Sequence, residues 1–223
     1  MRKVLNGAIA SAVLFGVAAL APAAQAAPCD GVGMQQPFLD WNDNADYVLV
    51  DGGDFESGAA GWTLDGGAAT TPGGNPYRAD SSATSLSLPA GSSTTTPSIC
   101  VSKGNPTARI FAQTPSPSTK KKTSLKVEVL YLRADGSVRK VKKAGKLRQE
   151  ASWDATRKFS LAQGQFNHGA KPDSDHGEKP DKPDKPEGGK PAPKPAHVQL
   201  RFTPIAGSGW LIDDVFVDPR MRL

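Results

Sequence analysis

The chain has 223 residues, a net charge of +5 and an aromatic content of only 7%. Its basic stretches carry no interleaved aromatic residues, so the composition argues against a base-stacking surface for nucleic acid. Glycine, proline, serine and threonine are plentiful, which is typical of a β domain with many turns.

The first 26 residues have the pattern of a signal peptide. Arg2 and Lys3 form a basic start, apolar and small residues follow as far as Leu20, and Ala24-Gln25-Ala26 provides an A-x-A cleavage site. A membrane anchor is the alternative, but the apolar run is short and Pro22 interrupts its end. We therefore expect a secreted, extracellular protein whose mature chain has no transmembrane segment.

Export determines whether the two cysteines are expected to be oxidised or reduced. Cys29 and Cys100 form an even pair in an oxidising compartment, so the sequence predicts a disulfide between them. The bridge would close a loop of about 70 residues and stabilise the fold by roughly 4 kcal/mol. A redox or metal-binding pair fits this spacing poorly, and Pro28 disfavours a lipoprotein anchor on Cys29.

The rest of the chain divides into an arm and a β domain. Residues 27–45 are predicted to form an irregular N-terminal arm, with Phe38, Leu39 and Trp41 as candidate anchors on the core. Residues 46–223 alternate short apolar runs with turn clusters, which predicts strands. The predicted strands span residues 46–51, 61–70, 84–88, 98–102, 107–113, 124–133, 137–143, 152–161, 197–204 and 209–217.

Side-chain alternation predicts how these strands are layered. In 124–133, the apolar residues Leu125, Val127 and Val129 share one face while charged residues take the other, and 197–204 alternates in the same way. Asp135-Gly136 between two such runs indicates a hairpin. Because no stretch has the period of an amphipathic helix, we predict an all-β fold of two packed antiparallel sheets.

One insert interrupts the β pattern. Residues 164–197 repeat Lys-Pro-Asp and Lys-Pro-Ala units, with six acidic residues and six lysines. Apolar side chains are almost absent, so nothing offsets the entropy of ordering the segment. We predict a disordered loop between two strands, serving as a spacer; a binding tail is the alternative reading.

Charge is unevenly distributed along the chain. Between residues 27 and 119, acidic residues outnumber basic ones nine to three, whereas between 120 and 163 basic residues outnumber acidic ones thirteen to four. The basic residues concentrate at 120–122 and 139–143. They indicate either solvated strand edges that block edge pairing or a surface for anionic envelope polymers, lipids or acidic glycans.

The two ends of the β domain carry a resemblance. Leu49-Val50-Asp51-Gly52-Gly53-Asp54-Phe55-Glu56-Ser57-Gly58 and Gly209-Trp210-Leu211-Ile212-Asp213-Asp214-Val215-Phe216-Val217 resemble the first and last strands of jelly-roll sandwiches of the carbohydrate-binding-module type, with a galactose-binding-like fold. Asp40-Trp41, Ser98-Ile99-Cys100-Val101 and the Trp210 to Pro219 end are also similar to a group of exported actinobacterial proteins of unknown function. The resemblance implies a jelly-roll β-sandwich.

The same resemblance implies a structural calcium ion. In such modules the first and last strands commonly meet around Ca²⁺, which puts forward Glu56 and Asp213 as ligands, with Asp54 as a weaker third. A carboxylate on a core-directed face, as predicted for Asp213 beside Val215 and Val217, needs a partner, and a hard cation supplies one. The alternative is that these carboxylates accept backbone hydrogen bonds or pair with arginine.

A sugar-binding face is harder to locate. Arg109, Phe111 and Gln113 share one face of their strand, and Gln199 and Arg201 share one face of another. If both strands belong to one sheet, these side chains form a polar ladder with one aromatic ring. Tyr77 and Trp153 are further candidate aromatics, whereas Trp62 is most simply a core residue.

Signatures of catalysis are weak. The three histidines, His168, His176 and His197, fall in the insert, where no base is held rigidly. A carboxylate pair for glycoside cleavage remains open, since spacing in sequence says nothing about separation in space. We therefore predict a monomeric, non-catalytic module that binds carbohydrate or a cell-wall polymer. The alternative is a structural or surface-interaction protein that contacts anionic envelope components through its basic hairpin.

Overall fold

The computed structural model describes residues 33–77, 82–101, 106–117, 123–148, 150–162, 196–205, 207 and 209–218. Within these ranges the chain forms one short 3-10 helix, Leu39–Trp41, and thirteen strands. The strands are β1 Val48–Leu49, β2 Thr63–Asp65, β3 Ala69–Pro72, β4 Thr84–Leu88, β5 Ser93–Thr95, β6 Ile99–Val101, β7 Thr107–Gln113, β8 Ser124–Leu132, β9 Val138–Arg148, β10 Asp154–Ala155, β11 Phe159–Ser160, β12 Ala196–Ile205 and β13 Trp210–Asp218.

The strands assemble into two antiparallel sheets. The seven-stranded sheet has the order β10-β7-β13-β4-β3, with β1 paired to β13 and β11 paired to β7. The six-stranded sheet has the order β2-β5-β12-β8-β9, with β6 paired to β12. The two sheets pack face to face as a β-sandwich of jelly-roll type, which confirms the predicted fold class.

The first and last strands lie side by side, as the sequence predicts. Val48 of β1 pairs with Val217 of β13, and just beyond β1 the Val50 amide donates to the Val215 carbonyl at 2.8 Å. The Val215 amide in turn donates to the Gly53 carbonyl at 3.0 Å. A Cβ at Gly53 would lie 2.8 Å from the Val50 carbonyl oxygen, so only glycine allows this close approach.

The main core fills the space between the sheets. Its members are apolar side chains that alternate along each strand, including the predicted sets on β8 and β12 and the buried Trp62, whose Nε1 donates to the Asp51 carbonyl. Full burial of such side chains stabilises a fold by about 1.5 to 3 kcal/mol each. The largest fully buried members are Trp210, Tyr131, Phe55, Phe159, Phe202, Leu86, Leu88, Ile110, Leu125 and Leu161.

A second, smaller core lies on the outer face of the seven-stranded sheet. Phe38 and Tyr47 from the N-terminal arm pack against Phe111 of β7 and Phe216 of β13. The arm is fixed there because Gln35 and Tyr47 exchange backbone hydrogen bonds of 2.9 and 2.8 Å. Of the predicted anchors, Phe38 is buried and Trp41 packs against it, whereas Leu39 is 56% exposed on the 3-10 turn.

Several predicted strands differ in extent. The predicted strand 61–70 is two strands in different sheets, because the chain crosses over at Gly66, which has φ of 64°. A Cβ at Gly66 would lie 2.8 Å from the Gly91 carbonyl oxygen, so this crossing requires glycine. The predicted strand 152–161 is likewise two short strands, β10 and β11, whereas β5 was not predicted and β9 extends to Arg148.

Some predictions concern residues outside those described. They include the signal peptide, Cys29, the basic stretch 120–122, His168, His176 and most of the insert. Cys100 lies in β6, and its pairing with Cys29 stays a prediction. The insert is shorter than predicted at its end, because Ala196 and His197 belong to β12. The described part of the chain holds no helix with the length and hydropathy of a membrane span.

Candidate functional site

A bulge in β13 positions the two adjacent aspartates of that strand. Asp213 pairs with Phe111 and Phe216 pairs with Arg109, so β13 has one more residue than β7 between these pairs. The extra residue is Asp214, which has a positive φ of 44°. The bulge shifts the alternation, so Asp213 lies on the same face as Phe216. The predicted face shared with Val215 and Val217 is therefore wrong, because that prediction assumed a regular strand.

Glu56 and Asp213 come together around one hydroxyl. Ser82 Oγ lies 2.9 Å from Glu56 Oε1 and 2.8 Å from Asp213 Oδ2. Because a hydroxyl has a single proton, it donates to only one of the two carboxylates at a time. The structure thus brings these two predicted residues together, although Glu56 lies in a turn after β1 and not in a strand.

Other groups already surround both carboxylates. Glu56 Oε1 also accepts the Ala83 and Thr84 amides at 3.0 Å each. Asp213 is fully buried, and its Oδ2 accepts the Asn75 amide at 2.8 Å and Asn75 Nδ2 at 3.0 Å. Burial and the nearby Asp214 carboxylate raise the pKa of Asp213 to about 6, against the lowering effect of these hydrogen bonds.

The surroundings of Glu56, Asp213 and Asp54 suit a calcium ion only in part. Two carboxylates that share one hydroxyl proton leave negative charge that a hard cation would neutralise. The other contacts given above are N–H donors, however, which match the alternative that the carboxylates accept backbone hydrogen bonds. Asp54 is half-buried in the turn after β1, and the described residues contain no group of three or more acidic, histidine or cysteine side chains arranged for a metal. Calcium therefore stays a prediction.

The five residues of the predicted ladder do not form one surface. Arg109, Phe111 and Gln113 lie in β7 of the seven-stranded sheet, whereas Gln199 and Arg201 lie in β12 of the six-stranded sheet. The single polar ladder is therefore wrong, because it required both strands in one sheet. Arg109 and Phe111 are also buried, since the N-terminal arm covers this face of β7.

Arg109 instead belongs to a buried ion cluster under the arm. Its Nη1 lies 2.8 Å from Asp43 Oδ2, and Lys158 Nζ lies 2.8 Å from Asp43 Oδ1. Tyr47 donates its hydroxyl to Asp43 at 2.8 Å, and Arg109 Nε donates to the Thr156 carbonyl. Burial raises the pKa of Asp43, but the hydrogen bonds from Lys158, Tyr47 and Arg109 outweigh it and lower the pKa to about 2. This cluster attaches the arm to the sheet.

On β12, Gln199 and Arg201 face away from the core. Arg201 donates through Nε to Glu128 Oε2 at 2.9 Å, and Lys126 Nζ lies 3.1 Å from the same oxygen. Gln199 donates to the Thr96 carbonyl at 2.9 Å. These polar groups already have partners within the sheet, and no described aromatic residue accompanies them on this face.

Aromatic side chains cluster instead over the arm-covered face of β7. We call Trp41, Tyr77 and Trp153 the aromatic patch. Tyr77 is 48% exposed and stacks on Phe111 with ring centroids 5.5 Å apart. Trp41, half-buried, meets Tyr77 edge to face at 4.8 Å, and the half-buried Trp153 packs against the same cluster.

Hydrogen bonds orient two rings of the aromatic patch, Trp41 and Tyr77. Trp41 Nε1 donates to Asp154 Oδ1 at 2.8 Å, and the Tyr77 hydroxyl donates to the Trp153 carbonyl at 3.1 Å. The three rings come from segments far apart in sequence: the arm, the segment after β3, and the segment before β10. The sequence marks Tyr77 and Trp153 as candidate aromatics, but nothing in it places Trp41 beside them.

A basic surface lies on the β8–β9 hairpin. Its exposed cationic side chains on β9 are Arg139, Lys140, Lys143, Lys146 and Arg148. The described acidic residues facing β9 from β8 are limited to Glu128, which already accepts from Lys126 and Arg201. We call this surface the basic hairpin.

Comparison with known proteins gives structural neighbours only. No family model matches the chain, and no curated protein matches it. Solved structures with a similar arrangement include the enzymatically active domain of tailspike protein 4 from bacteriophage CBA120, at 14% identity and a TM-score of 0.44 over 76% of this chain. Another is the CBM22-1–GH10 part of Clostridium thermocellum endo-1,4-β-D-xylanase 10B complexed with xylohexaose, at 16% identity and 0.42 over 74%.

The protein spans only 21% and 27% of the lengths of these two structures. A further neighbour is TmCBM61 in complex with β-1,4-galactotriose, at 10% identity and a TM-score of 0.41, covering 77% of this chain and 97% of that one. Carbohydrate-binding modules are thus among the structural neighbours of this chain.

Proposed function

We propose that the protein is an exported, non-catalytic module that binds carbohydrate, such as a cell-wall polymer, through the aromatic patch. The observation that carries this proposal is the exposed Tyr77 ring, stacked on Phe111 and bordered by Trp41 and Trp153. Large aromatic side chains combine an apolar face with a polar handle, and they anchor ligands at exposed sites.

The patch is also held in place before any ligand arrives. Trp41 and Tyr77 are restrained by hydrogen bonds to Asp154 and to the Trp153 backbone. Because rigid aromatic rings lose little conformational entropy on binding, more of the contact energy is available as affinity. A preordered set of rings suits a repetitive, weakly bound polymer.

Two features support a binding role without catalysis. Glu56 and Asp213 lie together around the Ser82 hydroxyl, but Asp213 is fully buried and both carboxylates accept protein donors. They also lie outside the aromatic patch. Incubating the protein with the polysaccharide that retains it should release no new reducing ends; steady release of them would make the protein an enzyme.

Retention on insoluble polysaccharides tests the proposed function. We expect the protein to be depleted from solution by at least one of cellulose, chitin, xylan and peptidoglycan. Because contacts with aromatic rings are not screened by salt, retention should persist at about 1 M salt, where the Debye length is only about 3 Å. Absence of retention on every polymer, or complete release by salt, would contradict the proposal.

The second candidate function is electrostatic contact with anionic envelope components through the basic hairpin. Its support is the run of exposed cations on β9, which only Glu128 faces among the described acids of β8. In that case, replacing Arg139, Lys140 and Lys143 with glutamine should abolish retention, and salt should do the same. If the aromatic patch binds the ligand, the same triple variant should be retained as well as the wild type.

Calcium is proposed as a stabilising ion and is tested separately. Burial raises the pKa of Asp213 to about 6, and a bound cation would offset the cost of burying its ionised form. Saturating calcium at about 100 times its Kd would add about 2.7 kcal/mol, or roughly 5 to 10 °C in melting temperature for a domain of this size. The Asp213→Asn variant should show no such shift, and an unchanged wild-type melting temperature with a chelator would rule the site out.

A further inference from the structure

Asn75, in the segment after β3, connects the two adjacent aspartates of β13 to the aromatic patch. Its side-chain Nδ2 donates to Asp213 Oδ2 at 3.0 Å and to Asp214 Oδ2 at 2.8 Å. Its backbone amide donates to the same Asp213 oxygen at 2.8 Å. All three residues are buried, and hydrogen bonds to carboxylates are stronger than those between neutral groups. The two aspartates therefore hold the Asn75 side chain in one orientation.

The carbonyl oxygen of the same side chain holds the backbone at Tyr77. Asn75 Oδ1 accepts the Tyr77 amide at 3.1 Å, which is the hydrogen bond of an Asx turn. Pro76 lies between the two residues and has its φ fixed at about −65°. Because this turn leaves the Tyr77 backbone little freedom, the exposed ring is held against Phe111 and Trp41, with centroids 5.5 and 4.8 Å away.

One carboxylate oxygen also joins the two sides of the segment that carries Tyr77. Asp213 Oδ2 lies 2.8 Å from the Asn75 amide nitrogen and 2.8 Å from Ser82 Oγ. A Cβ at Gly74 would overlap the Ser82 side chain, so the chain before Tyr77 contacts the chain after it. The residues on both sides of Tyr77 are thus fixed before any ligand binds, which lowers the entropy cost of binding.

We propose that Asn75 is a positioning residue for carbohydrate binding: it anchors Tyr77 to the buried aspartates of β13 and so sets the plane on which a sugar ring stacks. The inference rests on the proposed function, because it takes the Tyr77 ring as a contact of the ligand. Asn75 itself is only 1% exposed. It therefore acts on the ligand through Tyr77 and not by direct contact.

The placement of the Tyr77 ring is measured without ligand, through the indole N–H resonance of Trp41 in the full chain. The two rings meet edge to face at 4.8 Å, so the ring current of Tyr77 contributes to this chemical shift. Tyr77→Ala should move the Trp41 resonance, and Asn75→Ala should move it in the same direction. The resonance of the core residue Trp62 should stay in place. An unmoved Trp41 resonance in Asn75→Ala, or an equal movement of Trp62, would overturn the proposal.

Retention on the bound polysaccharide provides a second readout, as a double-mutant cycle. Asn75→Ala should weaken binding by roughly fivefold to tenfold, because the ligand must then order the Tyr77 side chain itself. With Tyr77→Ala already present, Asn75→Ala should change the affinity by less than about twofold, since its effect passes through the ring. The same loss with and without the ring would show that Asn75 supports the fold in general, and the proposal would be wrong.

Pro76→Gly tests the same claim without removing a buried group, in case Asn75→Ala does not fold. Pro76 is exposed, and glycine frees the backbone between Asn75 and Tyr77. The Trp41 resonance and the affinity should both change in the direction expected for Asn75→Ala. If a folded Pro76→Gly variant matches the wild type in both measurements, the turn does not position the ring.

Thr94→Ala is the matched control for the loss of a buried hydrogen bond. Thr94 is fully buried in β5 of the other sheet, and its hydroxyl donates to the Thr63 carbonyl at 3.1 Å. This variant should be less stable than the wild type but should leave the Trp41 resonance and the affinity unchanged. If it altered both as much as Asn75→Ala, the effect of Asn75 would be one of general stability, against the proposal.

The two proposals fail in different ways. If no polysaccharide retains the protein but Asn75→Ala and Pro76→Gly still move the Trp41 resonance, the proposed function is wrong, while Asn75 is confirmed as the residue that positions Tyr77. If retention depends on Tyr77 and neither variant changes the Trp41 resonance or the affinity, the inference about Asn75 alone is wrong.

Discussion

Replacing Arg109 with methionine should lower the free energy of unfolding by about 3 kcal/mol. Removal of one partner of a buried ion pair typically costs about 3 to 5 kcal/mol, because the other charge stays buried. The lower value is expected here, since Lys158 and Tyr47 still contact Asp43. The variant also loses the hydrogen bond to the Thr156 carbonyl and the position of Arg109 over the Phe38 ring, 4.3 Å from its centroid. Urea denaturation measures the difference.

The control is Arg201→Met on the other sheet. Arg201 also pairs with a carboxylate, Glu128, but its side chain is 36% exposed, so its loss should cost at most about 1 kcal/mol. The double variant Arg109→Met with Asp43→Asn should cost less than the sum of its two single changes, because it no longer leaves a buried charge alone. Additive costs, or equal effects of Arg109→Met and Arg201→Met, would show that the cluster does not hold the arm.

The same cluster predicts a pH dependence. Because the pKa of Asp43 is lowered to about 2 in the folded protein, its ionised form is favoured there. Its contribution is therefore fully present above the unfolded value near 3.8 and is lost as the pH falls through about 2. The difference in stability between the wild type and Asp43→Asn should shrink over that interval, and a constant difference would contradict the lowered pKa.

Replacing Tyr77 with alanine should weaken retention on the bound polysaccharide by at least about 30-fold. Exposed aromatic anchors at the centre of a site commonly contribute about 2 kcal/mol or more on truncation to alanine, and Trp153→Ala should have a comparable effect. Depletion isotherms measure the change, with melting temperatures confirming that each variant is folded.

Leu39→Ala is the matched control for these variants. Leu39 is 56% exposed on the same arm and has an apolar side chain without a ring. If the patch acts through its aromatic faces, Leu39→Ala should bind within about twofold of the wild type. Comparable losses for Leu39→Ala and Tyr77→Ala would indicate a general apolar surface and not stacking on aromatic rings.

Much of the fold could be predicted because buried and exposed side chains alternate along a strand, which gives the sequence a hydrophobic period of two. The alternation in β8 and β12 predicted their core residues correctly. The resemblance of the two ends of the β domain to the first and last strands of a jelly roll predicted the pairing of β1 with β13. Breaks in that period were missed. The crossing at Gly66 divides one predicted strand into two, and the bulge at Asp214 places Asp213 on the opposite face from Val215. The hydrophobic pattern gives no sign of either feature, because each depends on a residue with a positive φ.

The candidate site was less predictable for a different reason. Arg109 and Phe111 looked like an exposed face because their strand alternates, but the arm covers that face with Phe38 and Tyr47. Trp41 contacts Asp154 across 113 positions of sequence. Contacts over such separations are set by how the whole sandwich closes, so local spacing gave no signal for the aromatic patch.

The indole N–H spectrum of the wild type tests the central claim most directly. The chain has four tryptophans, which report on two places: Trp41 and Trp153 on the aromatic patch, and the buried Trp62 and Trp210 on the core. Soluble fragments of the retaining polysaccharide should shift the resonances of Trp41 and Trp153 and leave Trp62 unmoved. Binding of those fragments with no change at Trp41 or Trp153 would contradict the claim that this patch holds the ligand.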